Sequence, residues 1–188
     1  MALWDIMSRN ALFFTGNGTN DDHFGQDWLG PKNNWFSSAW ARGTSVADLL
    51  AALAAGRAWC ASLSGYRGSM DLLVDGTVPM GSVSVSKVRS RKLAASATAV
   101  PAHGVLQILQ GTVDYAGAAD LSADTTVIGS YSASQLTGGP VTQRIDTDKD
   151  GFVRTQVLDS TGTVVGLSNP VWLLRAVPPG GIPAPRQT

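Results

Sequence analysis

The spacing of apolar residues changes character near residue 66. Before it, apolar positions recur at helical intervals. Leu3, Ile6 and Met7 fall on one stripe of residues 2–9, and Val46, Leu49, Leu50 and Leu53 fall on one stripe of residues 46–55. Ser45 followed by Asp48 makes a capping-box-like start for the second helix, with Asp in place of the preferred Glu. Gly56 suits the left-handed residue that ends it. Between the helices, Ala11-Leu12-Phe13-Phe14-Thr15 is a short apolar run closed by Gly16-Asn17-Gly18, the pattern of a buried parallel strand. Residues 24–43 read as a loop whose aromatic residues, Trp28, Trp35 and Trp40, bury against the domain. A strand over 58–63 follows.

From Met70 onward the period is two. The expected strands are 70–74, 82–88, 93–100, 105–110, 125–132, 152–159, 163–167 and 171–176, separated by turn formers such as Asp75-Gly76, Gly138-Gly139-Pro140 and Asp150-Gly151. Many short strands at this spacing predict a sandwich. The fold expected is α+β: a short α/β segment over 1–65, an antiparallel β-sandwich over 66–177, and an exposed Pro/Gly-rich tail over 178–188.

Composition narrows the function classes. The 188 residues are 44% hydrophobic and 15% charged, enough apolar surface for a packed core. Lys plus Arg equals Asp plus Glu at 14 each, so there is no electrostatic footprint for nucleic acid or an anionic membrane. The one basic run, Lys87 to Lys92, reads as a solvated strand face. A single cysteine, Cys60, excludes an internal disulfide and sits in an apolar stretch where a buried, inert thiol is expected. No signal-peptide pattern opens the sequence, and no run approaches the ~18 apolar residues of a membrane span. The expected location is the compartment of synthesis, cytoplasmic by default.

Asp21, Asp22 and His23 lead the candidate chemistry. In an extended segment Asp21 and His23 project to the same side, where a carboxylate and an imidazole could share one divalent metal. Their place after an apolar run and a Gly-Asn-Gly turn corresponds to the strand end where α/β folds collect ligand sites. A second pattern, Asp146-Thr147-Asp148-Lys149-Asp150-Gly151, mimics the start of a calcium loop. Val157 stands where the bidentate Glu belongs, and the flanks read as strands, which favours a turn. His103 reads as a turn residue. Ser130, Ser132 and Ser134 have no base, and neither a nucleophile elbow nor a phosphate-binding glycine loop occurs.

Leu3-Trp4-Asp5-Ile6-Met7, Leu12 to Gly18 and Asn20-Asp21-Asp22-His23 together resemble the closing stretch of a PHP (polymerase and histidinol phosphatase) hydrolase domain, in which a late barrel strand ends in Gly-x-x-Asp-x-His. Residues from Asn34 through Gly56-Arg57-Ala58-Trp59 are similar to the loop and helix that follow it. Phe152-Val153-Arg154, Gly162 and Leu167-Ser168-Asn169-Pro170-Val171-Trp172 resemble the β-domain appended to some members. The resemblance implies a metal-dependent phosphoesterase that activates water on zinc, manganese or iron. Asp21 and His23 would be metal ligands, with Asp22 and Asn20 as further candidates. The family's other ligands, an early His-x-His, a mid-chain Glu and further histidines, have no counterpart among two histidines, so they would come from outside this chain. A partial barrel exposes apolar surface, which implies self-association or docking on a larger assembly. The alternative is a non-catalytic structural or binding protein that works through its β-sandwich.

Overall fold

The computed structural model describes residues 2–19, 35–114 and 121–188. Two mostly antiparallel sheets face each other in a sandwich-like arrangement, with few helices. The elements in chain order are α1 (Ala2–Arg9), β1 (Trp35–Ala39), α2 (Val46–Ala54), β2 (Ala58–Ser62), β3 (Met70–Val74), β4 (Val78–Pro79) and β5 (Val83–Val85). They continue with β6 (Ser90–Ala97), β7 (Val105–Thr112), β8 (Thr125–Ser132), α3 (Ala133–Leu136), β9 (Val141–Asp146), β10 (Gly151–Leu158), β11 (Val164–Ser168) and β12 (Val171–Leu174).

The larger sheet is built around β10. One of its edges pairs along its whole length with β7, which in turn pairs with β8. The other edge is shared by β11, which pairs Gln156 with Leu167, and β12, which pairs Val153 with Val171. β11 and β12 thus form one line broken at Asn169-Pro170, where proline lacks the N–H that a ladder needs. β2 and then β1 continue the sheet from β11, and β5 runs parallel to β12. The smaller sheet has the order β4-β3-β6-β9.

Period two explains why the larger sheet is buried on both faces. Val153, Val157, Val171 and Leu173 face Met70, Leu72, Leu93 and Ile145 of the smaller sheet in the main core. Phe152, Trp172 and Leu174 point the other way, into a second core with Val83 and Val113 that Ala11, Phe13 and Ile182 cover. Arg154 and Gln156 share the parity of Phe152. Arg154 makes a paired contact with Asp5 of α1, Nε to Oδ1 at 2.6 Å and Nη2 to Oδ2 at 2.7 Å. The N-terminal residues therefore form a layer over the outer face of the sheet. Strands from both sides of the expected boundary at 65/66 join that one sheet.

Several sequence expectations hold. α1, α2 and β3 span the predicted residues; Ser45 caps α2 by accepting from the Asp48 N–H at 3.1 Å, and Gly56 follows with φ of +70°. The strands expected from 70 onward are present with shifted ends.

Others are corrected. Residues 11–15 are not a parallel strand. Ala11 takes a positive φ, and the Leu12 N–H turns back to the Met7 carbonyl at 3.0 Å, so this backbone caps α1 instead of joining a ladder. Trp35–Ala39, expected as loop, is β1, and β9 was not foreseen. Arg91 is not on a solvated face; it is buried, with its Nε 2.7 Å from Asp75 and its Nη1 donating to Ser84. The tail is not a free extension, because residues 184–186 form a 3-10 turn and Arg186 is buried.

Candidate functional site

Asn20, Asp21, Asp22 and His23 lie outside the described residues. The segment that leads into them is described, and it is held from many directions. The Gly16 N–H donates to Asn169 Oδ1 at 2.7 Å, while Asn169 Nδ2 donates to the Ala58 carbonyl at 2.9 Å. Asn169 is fully buried in the break between β11 and β12. Thr15 Oγ1 donates to the Leu53 carbonyl at 3.2 Å and also meets the Arg186 guanidinium. Arg186 reaches it from the C-terminal turn, across the Trp172 ring, with its charge 5.8 Å from the ring centroid.

The glycines are required by contact. A Cβ on Gly16 would strike the Trp4 ring, and one on Gly18 would lie 2.5 Å from the Phe36 carbonyl oxygen. Gly18 also donates its N–H to Ser37 Oγ at 2.9 Å and accepts from the same hydroxyl at 3.1 Å. Beneath it lies the Cys60 thiol. Burial pushes this thiol up to about 11, and a hydrogen bond with the Gly18 backbone partly opposes that. Contacts from α1, β1, α2, β2, the β11–β12 break and the C-terminal turn therefore fix an irregular stretch two residues before Asn20.

A cleft of about 460 Å³ opens beside the turn between β9 and β10. Asp146, Asp148 and Asp150, the calcium-loop candidates, line it together with Asp124 and Lys149. Their carboxylates already have protein partners. Asp146 Oδ1 accepts from the Asp148 N–H at 2.8 Å, Asp148 pairs with Arg89 at 3.3 Å, Asp150 accepts the Arg175 N–H, and Asp124 accepts from Thr112 at 2.5 Å. Among the described residues, no group of three or more His, Cys, Asp or Glu is placed to hold a metal ion, so these residues alone do not fit one. His103 occupies a turn with φ of +60°. No described helix is long and apolar enough to cross a membrane.

Sequence reasoning singled out the Gly-Asn-Gly turn but missed Asn169, Ser37 and Arg186 as its anchors. Asn169-Pro170 interrupting two apolar runs was the one available signal. Compared with protein-family models, curated proteins and solved structures, the chain matches none.

Proposed function

We propose that this chain forms the β-rich part of a PHP-type metal-dependent hydrolase of the phosphoesterase class. Asp21 and His23 act as two of its metal ligands, and the remaining ligands come from outside residues 1–188. The observation that carries this reading is the fixed Thr15–Gly18 segment. A stretch without regular structure is tied down by buried residues from remote parts of the chain just before the Asp-x-His pair. Precise fixing of backbone next to ligands is what a metal site requires.

A second observation supports an external partner. Of the twelve exposed large apolar side chains among the described residues, seven lie in residues 3–50, including Leu12, Phe14, Val46, Leu49 and Leu50. Val46 and Leu50 of α2 are 73% and 61% exposed. The seven flank Asp21 and His23 in sequence on both sides, and a barrel or second subunit docked there would cover them. Exposed apolar surface would equally serve a non-catalytic component of a larger assembly, so metal binding divides the two readings.

The test is metal content after equilibration with zinc or manganese and dialysis, comparing wild type with an Asp21→Ala, His23→Ala double variant. Bound metal that the double variant loses supports the hydrolase reading. Equal, negligible metal in both proteins overturns it in favour of the non-catalytic role.

A further inference from the structure

The turn that ends α2 brings two arginines to one pocket. Gly56, with φ of +70°, reverses the chain, and the Arg57 N–H donates to the Ala52 carbonyl at 3.0 Å. The Arg57 carbonyl accepts the Trp40 N–H at 2.8 Å, which extends the β1–β2 ladder past its Ala39–Ala58 pair. A pocket of about 290 Å³ lies at this end of the ladder, lined by Trp40, Arg42, Asp48 and Arg57 and by Ala51 and Ala52 of α2. Trp35, where the described chain resumes, pairs with Ser62 at the opposite end of β1.

Trp40 is a fixed wall of this pocket. Its Nε1 donates to the Met70 carbonyl at 2.9 Å, and its ring packs on Trp59 with centroids 5.4 Å apart. The two guanidiniums are not held in this way. Arg91 has Asp75, Arg154 has Asp5 and Arg186 has the Gly81 carbonyl. Among the described residues, neither Arg42 nor Arg57 has a side-chain hydrogen bond or an ion pair. Arg57 is also half-buried, so water replaces a partner only in part. Asp48, the one acid in the lining, is engaged within its own helix cap, where its Oδ2 accepts the Ser45 hydroxyl at 2.6 Å. Two cations and one carboxylate leave the lining with one net positive charge.

We propose that this pocket binds a small organic oxyanion, a carboxylate or a phosphate. Arg42 and Arg57 donate to the anionic group, and the Trp40 ring packs against the apolar part of the ligand. A guanidinium presents a planar fork of N–H donors that matches either group, and an indole face offers a flat apolar surface beside it. A few polar groups converging in an otherwise apolar cavity is the general form of a small-molecule site. The site uses neither Asp21 nor His23 and stands independently of the hydrolase reading.

Calorimetric titration of the full chain, freed of metal on a chelating resin, tests this with phenyl phosphate, benzoate and the uncharged benzyl alcohol. At least one of the anions should bind with a dissociation constant below about 1 mM. Benzyl alcohol should bind about tenfold more weakly or worse, because it lacks the charge that strengthens a hydrogen bond to a guanidinium. Arg42→Gln and Arg57→Gln should each weaken the anion about tenfold or more, the loss of one charge-assisted hydrogen bond. Ala51→Glu should do the same by setting a carboxylate in the pocket from an exposed helix position. Arg42 and Ala51 are both exposed, so these two variants should keep the wild-type urea midpoint. The tighter of the two anions identifies the group that the site takes. Failure of the wild type to bind either anion overturns the proposal. So does binding that all three variants leave intact, or benzyl alcohol binding as tightly as the anions.

Discussion

Removing Asp5 should destabilise this protein more than its place in a short terminal helix suggests. Asp5 and Arg154 are 5% and 3% exposed, and two parallel hydrogen bonds of 2.6 and 2.7 Å join them. Arg154 lies on the central strand β10, where Gln156 accepts a further bond from Nη1 at 3.0 Å. In Asp5→Ala the guanidinium stays buried with its main partner gone, a loss of roughly 3–5 kcal/mol. That is a large share of the 5–15 kcal/mol typical of a whole domain. For a chain of this size it corresponds to a fall in Tm of about 6–20 °C. Urea unfolding followed by tryptophan fluorescence measures the loss directly. The double variant Asp5→Leu, Arg154→Met should recover most of it, because an apolar pair needs no compensating charge. A cost below about 1 kcal/mol for Asp5→Ala, the range of exposed pairs, would refute the reasoning.

Two further outcomes follow from the same structure. Cys60, raised to about 11 and buried under Gly18, should react with a disulfide reagent at pH 8 only at the rate of unfolding, and immediately in urea; full labelling of the native protein within a minute would contradict this. For Asp75, burial opposes the charge, but the hydrogen bonds from Arg91 and the Lys92 N–H outweigh it and hold the carboxyl below its usual 3.8. A lowered value means stability that is present above 3.8 and lost as pH falls through the folded value. The side chain is 43% exposed, so Asp75→Asn should cost about 1 kcal/mol or less at pH 7, and the gap from wild type should close in acid; a gap that widens there would refute the assignment.

What the sequence disclosed depended on whether the physics was local. α2 was legible because its cap, apolar spacing and terminal glycine all lie within twelve residues. β3 and β10 were legible because burial on alternate sides writes a period into the chain. β1 was hidden: Trp-Phe-Ser-Ser-Ala has no alternation, and pairing with β2 alone makes it a strand. β9 was hidden because only Ile145 of its six residues is buried. Residues 11–15 misled because an apolar run can cover a sheet as readily as join it. Apart from the Asn169-Pro170 interruption, the anchors of Gly16 and Gly18 left no trace in the pattern, since a side-chain amide that binds a backbone group 153 residues away has no periodicity.

The tie between Asp5 and Arg154 also sets a timetable for synthesis. The two residues are 149 apart in the chain, and α1 docks on strands that are made late. At about 5–20 residues per second, α1 leaves the ribosome roughly 7–30 s before its binding surface exists. During that interval the Asp5 carboxylate lacks its Arg154 partner, so α1 cannot complete its docking until β10 has been made.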